Sequence, residues 1–203
     1  MGFIERLRKP DWLQEMQTTL TFVLVVIAVL GGLTVIPLVT GDALVAQVPT
    51  RAVAGVAGAS GDLRPGVVID PHGTVDVLVR NPDAGQVVDK ALISMPTYLV
   101  TVTVLVLLLG VLRRARRDNP FLPATVRRLR VIAVVVLVGG QLAFTIETVA
   151  AMDLSARVTN KHMGTIFDVT PVGTWLLLGF GFFAIAEVVN RGRAMRAELD
   201  SVI

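Results

Sequence analysis

Charged residues punctuate this chain at intervals that read as membrane-crossing helices. No charge stands between Glu15 and Asp42, between Lys90 and Arg113, or between Asp168 and Glu187, and residues 131–152 are interrupted only by Glu147. A hydrocarbon core of about 30 Å takes roughly 20 apolar residues at helical rise, so each stretch is long enough to span. The predicted spans are 18–39, 93–112, 131–152 and 171–190. The first is too long for the apolar part of a secretory signal and has no small-x-small cleavage site close behind it, so it reads as a retained helix.

The segments between the spans differ in kind. An N-terminal interfacial segment covers 1–17. The loop at 40–92 reads as β: Val67-Val68-Ile69-Asp70 and Thr74-Val75-Asp76-Val77-Leu78-Val79 flank Pro71-His72-Gly73, a hairpin signal. Val45 to Val48 and Arg51 to Val56 add further strand candidates, and Asn81-Pro82-Asp83-Ala84-Gly85 a second turn. The remaining segments are a loop at 113–130, a shorter loop at 153–170 and a tail at 191–203. The expected fold is an all-α membrane protein, a four-transmembrane-helix bundle with a small β-containing extracytoplasmic loop.

Composition sharpens the reading. Of 203 residues, 53% are hydrophobic and 17% charged, and mean hydropathy is +0.70, too little charge to cover a soluble domain that typically carries about 25%. There is no cysteine, which excludes a disulfide scaffold and thiol redox chemistry. Thirteen Lys and Arg lie in the segments 1–17, 113–130 and 191–203, against six in the other two. Positive residues stay on the cytoplasmic side, so both termini are expected inside a bacterial inner membrane. Anionic lipid accounts for a basic face of this kind, and direct nucleic-acid binding is not expected. Trp12, Tyr98 and Trp175 fall near predicted span ends, where amphipathic rings settle.

Candidate chemistry is sparse. Glu147 is the one ionisable residue within a span, and such a residue costs about 2.5 to 3.5 kcal/mol on insertion scales. Gln141, Thr145 and Thr148 share its helix and fall on one face, off which Glu147 lies. Glu147 reads as a protonated or interhelically bonded carboxyl, with a proton or ligand site of a small transporter or channel as the sharper alternative. Gly139 with Ala143, and Ala28 with Gly32, are small-residue pairs that allow helices to approach, within the bundle or in a homo-oligomer. The six Asp of the first loop have no calcium-loop spacing, and neither His72 nor His162 lies in a span. No metalloprotease, nucleophile-elbow or phosphate-loop motif occurs. Catalytic residues, metal and cofactors are therefore expected to be none.

The cytoplasmic candidates are Arg113, Arg114, Arg116, Arg117, Arg127, Arg128 and Arg130 in the third-span approach, with Met195 and Leu199 as apolar anchors in the tail. Positions 195, 199 and 202 fall on one helical face. Asn119-Pro120-Phe121 makes a turn, followed by Arg128-Leu129-Arg130; after the fourth span come Glu187, Gly192 and a short acidic-apolar terminus. On these motifs the chain resembles the bacterial membrane-protein family called domain of unknown function 2975, departing from its pattern at Thr125, where Asn is expected. The resemblance implies four spans and no known catalysis. It also implies a signalling or regulatory role beside a small helix-turn-helix transcription regulator, held at the cytoplasmic face. A structural membrane protein without ligand is the remaining reading.

Overall fold

A computed structural model describes residues 12–40, 43–53, 70, 73–117, 123–159 and 169–200. It is mostly helical. Helix α1 runs Trp12–Thr40, α2 Ala84–Arg117, α3 Pro123–Val134, α4 Gly140–Thr159 and α5 Thr170–Asp200. A π-helical turn, Val135–Gly139, joins α3 to α4 without a break. Within these rods lie four candidate spans, Gln14–Leu38, Ala84–Ala115, Pro123–Thr159 and Thr170–Met195, each apolar and long enough to cross a membrane. Their helices keep large apolar side chains on the outside, as Phe22, Leu33, Leu99, Leu142 and Leu177 do, which in water would be an aggregating surface.

Several threonines inside these rods are satisfied locally. The hydroxyls of Thr18, Thr21, Thr103 and Thr148 donate to the carbonyls four residues earlier, at 2.7 to 2.9 Å. A threonine bonded in this way presents little unsatisfied polarity to an apolar solvent. Pro123 opens α3, where a missing N–H is no loss. The start of α2 is a reciprocal cap: Asp83 Oδ1 accepts from the Gln86 amide at 2.8 Å, and the Asp83 amide donates to Gln86 Oε1 at 3.0 Å.

Contacts divide the chain into two compact units, one of Met1–Leu30, Leu99–Gln141 and Val172–Ile203, the other of Gly31–Tyr98 and Leu142–Pro171. In the first, Leu109, Val126, Leu129, Ile132, Val136 and Ala186 are buried. Gly139 packs on Val100 there, so this small residue is used for close helix approach. In the second unit Gly31 admits the Tyr98 ring, whereas Gly32 faces open space and does no packing among the described residues.

The second unit also holds the sheet. Strand β1, Leu44–Pro49, pairs antiparallel with β2, Thr74–Val79, in the register Leu44 to Val79 through Pro49 to Thr74. Leu44, Ala46 and Val48 are buried and stand opposite Val79, Val77 and Val75, so the apolar faces of both strands coincide. β2 is the second arm of the expected hairpin, whose first arm at 67–69 lies outside the described residues. Among the described residues its partner is β1, 30 residues earlier and itself within the strand candidate at Val45 to Val48. The Thr50 amide closes the sheet end on the Gly73 carbonyl at 3.0 Å, and Lys90 Nζ reaches back from α2 to the Val45 carbonyl at 2.9 Å.

Candidate functional site

Glu147 has a definite partner. A proline within a helix has no N–H of its own and its ring displaces the preceding turn, which disturbs the helical bonding around it. Pro96 is such a residue in α2. The next amide, Thr97, donates to Glu147 Oε1 at 2.7 Å. Glu147 on α4 thus gives the amide beside this proline an acceptor on another helix, which suits a polar group in an apolar surround.

The polar face expected around it is not one site. Gln141 Nε2 donates to the Val172 carbonyl at 3.1 Å in the first unit, Thr148 bonds its own helix, and Thr145 lines a groove in the second unit. Spacing alone placed these three on one stripe; Gln141 bonds across to α5, whereas Thr148 bonds within α4.

The groove is a feature that sequence reasoning missed. It encloses about 690 Å³ between the start of α2 and the second half of α4. Its walls are apolar, with Leu92, Ile146, Val149 and Met152, and Asp89 and Asp153 also line it. Arg157 Nε lies 3.0 Å from Asp89 Oδ2 and 3.2 Å from Asp153 Oδ2, with Nη2 3.0 Å from the latter. The hydrogen-bond geometry is satisfied toward Asp153. Asp89 Oδ2 is buried, ion-paired and without a hydrogen bond. The Asp153–Arg157 pair was readable as an i, i+4 spacing on a helix; nothing in the local sequence announced Asp89 as its third member. Among the described residues no three His, Cys, Asp or Glu side chains come together as metal ligands do.

In the first unit, the π-helical turn ends at Gly139, and Gly140 lies directly beneath the Trp175 ring, with no room for a side chain. Extra residues of this kind inside a helix shift the faces that follow. Trp175 is therefore a packed ring, half-buried, and not only the interfacial marker expected of it. Gly179 admits Leu137 in the same manner.

The basic candidates fall into three groups. Arg113, Arg114 and Arg127 are exposed and Arg128 is half-buried, whereas Leu129 is buried as part of the core. Arg130 Nη2 lies 3.6 Å from Glu187 Oε2, and Arg191 Nε lies 3.1 Å from Glu187 Oε1. Met195 is exposed and Gly192 half-buried on α5. The side chains of Arg116, Arg117 and Leu199, and all of Asn119, Pro120 and Phe121, lie outside the described residues. Glu187 is thus shared by two guanidinium groups, one from each motif-bearing segment. The sequence matches the family described as "Protein of unknown function (DUF2975)" over residues 74–203.

The chain belongs to this family. The DUF2975 match begins at the first residue of β2 and takes in α2 to α5, so α1 and β1 lie before it. Within the DUF2975 region both sides of the Arg130–Glu187 contact are present. No curated protein and no solved structure matches the chain.

Proposed function

We propose that this DUF2975 chain is a non-enzymatic, multi-pass protein of a bacterial inner membrane, with both termini cytoplasmic, and that its basic face holds a small helix-turn-helix transcription regulator. The observation that carries the reading is the Glu187 junction. It ties the Arg128-Leu129-Arg130 stretch to the fourth long helix, so a change in the helices would move the exposed Arg127 and Met195 relative to each other. Half-exposed ion pairs of this type contribute little to stability, about 0 to 1 kcal/mol, and so can be exchanged for contacts with a partner. Support for the orientation comes from the excess of Lys and Arg in the three segments assigned to the cytoplasm. A regulator held there would be released when the population of helix arrangements shifts.

The transporter reading uses Glu147 as a proton or ligand site; the bond from the Thr97 amide to its Oε1 favours a structural task for this carboxyl. The test of the proposal is affinity purification of the full chain in mild detergent, with identification of what stays bound. A small DNA-binding protein recovered with the full chain and lost after truncation beyond Gly192 supports it. Recovery of no such protein, from membranes in which the chain is shown to be inserted, opposes it.

A further inference from the structure

The groove beside Asp89 has a chemistry of its own. Its length along α4 runs from Thr145 to Ala156, about 16 Å at helical rise, and its volume falls in the range of roughly 300 to 1,000 Å³ that holds small molecules. Leu92, Ile146 and Val149 are exposed within it, so the apolar wall is open to an entering chain. One end carries Asp89 and Asp153 with a single guanidinium between them. Asp83, the cap of α2, stands nearby: a methyl placed on Gly85 would meet both its carboxylate and Arg157. Lys90 does not restore the balance there, since it is turned to the Val45 carbonyl.

Asp89 is the decisive member, because its side chain is only 9% exposed and its Oδ2 has no hydrogen bond. Its cation, Arg157, lies 3.0 Å away but gives its well-formed hydrogen bonds to Asp153, and a carboxylate taken out of water is costly unless its charge is fully met. Among the described residues, two carboxylates to one guanidinium leave a negative excess at the head of an apolar groove. We propose that this groove binds a cationic amphiphile, an aliphatic chain with a primary ammonium head, the chain along Ile146, Val149 and Met152 and the ammonium donating to Asp89 and Asp153. An anionic head is repelled by the same charges, and a neutral one leaves the excess uncompensated.

The experiment uses the full chain purified in a neutral maltoside detergent and three photoreactive probes with the same alkyl chain, bearing an amine, a hydroxyl or a sulfate head. Labelling is mapped to peptides by mass spectrometry. The amine probe should label the 142–156 segment saturably and be displaced by excess dodecylamine, while the hydroxyl and sulfate probes label it about tenfold less, a difference of ~1.4 kcal/mol. Asp89→Asn should lower amine labelling by a similar factor. Val149→Phe, which fills the groove and leaves every charge in place, should abolish it, and decides the matter if Asp89→Asn fails to fold. Equal labelling by the amine and hydroxyl probes, or undiminished amine labelling in Val149→Phe, overturns the proposal and marks the groove as filled by bulk lipid.

Discussion

Replacing Glu147 with Leu removes the acceptor that the Thr97 amide finds on α4. Loss of a buried hydrogen bond costs up to about 1 to 3 kcal/mol in soluble proteins, and interhelical hydrogen bonds in membranes average nearer 0.6 with a maximum near 1.7 kcal/mol. About 1 to 2 kcal/mol is therefore expected for Glu147→Leu. The cause assigned to the bond makes a stricter prediction. If Pro96 is what turns the Thr97 amide outward, Pro96→Ala restores a regular helix in which that amide donates to the Ile93 carbonyl, and Glu147 is no longer needed. Glu147→Leu should then cost close to nothing in the Pro96→Ala background, a coupling of about 1 to 2 kcal/mol in a double-mutant cycle. Glu147→Gln keeps a carbonyl acceptor and should stay within ~0.5 kcal/mol of the parent. Reversible unfolding in mixed micelles, followed by the fluorescence of Trp12 and Trp175, measures all four corners of the cycle. An equal cost of Glu147→Leu with and without Pro96 would refute the reasoning and return Glu147 to the list of candidate functional carboxyls.

Further expectations are narrower. Gly140→Ala sets a methyl against the Trp175 ring and should destabilise by about 1 to 3 kcal/mol, whereas Gly32→Ala, in open space on a helix, should be neutral or stabilise by up to ~1 kcal/mol; the same unfolding assay compares them. Arg157→Gln removes the cation from a nearly buried Asp89 and should destabilise more than Asp153→Asn, which leaves the Asp89 pair in place; thermal unfolding in detergent gives the order, and the reverse order would contradict it. A chain ending after Gly192 should insert normally, as judged by its recovery from carbonate-washed membranes, because the four candidate spans precede most of what is removed.

The long helices were legible because charge spacing is set by the solvent and needs no knowledge of neighbours. Strand β2 was legible for a related reason, since Val at every second position beside a Pro/Gly turn has the period of a half-buried strand. The pairing of β1 with β2 was not legible. The turn at 71–73 points only to a neighbouring arm, whereas the complementary alternation of Leu44, Ala46 and Val48 sets this register. The same holds for the sites. Glu147 stood out by composition, yet its purpose depends on Pro96, 51 residues earlier, and neither residue predicts the other without the helices being placed. Gln141, Thr145 and Thr148 show the converse. Helical periodicity put them on one face, but Gln141 bonds a carbonyl on α5, Thr148 one on its own helix, and Thr145 lines the groove. Asp89 looked like one of six solvated loop Asp residues, and only the approach of α4 turns it into a nearly buried carboxylate.

The regulator proposal depends on four membrane crossings with the basic segments inside. The absence of native cysteine makes this arrangement directly measurable with single-cysteine variants and a membrane-impermeant maleimide. Gly61→Cys should react in intact spheroplasts, while Asn119→Cys and Ser201→Cys should react only after the membrane is permeabilised. Labelling of Asn119→Cys or Ser201→Cys from outside, or protection of Gly61→Cys until permeabilisation, would contradict the four-span arrangement with both ends inside.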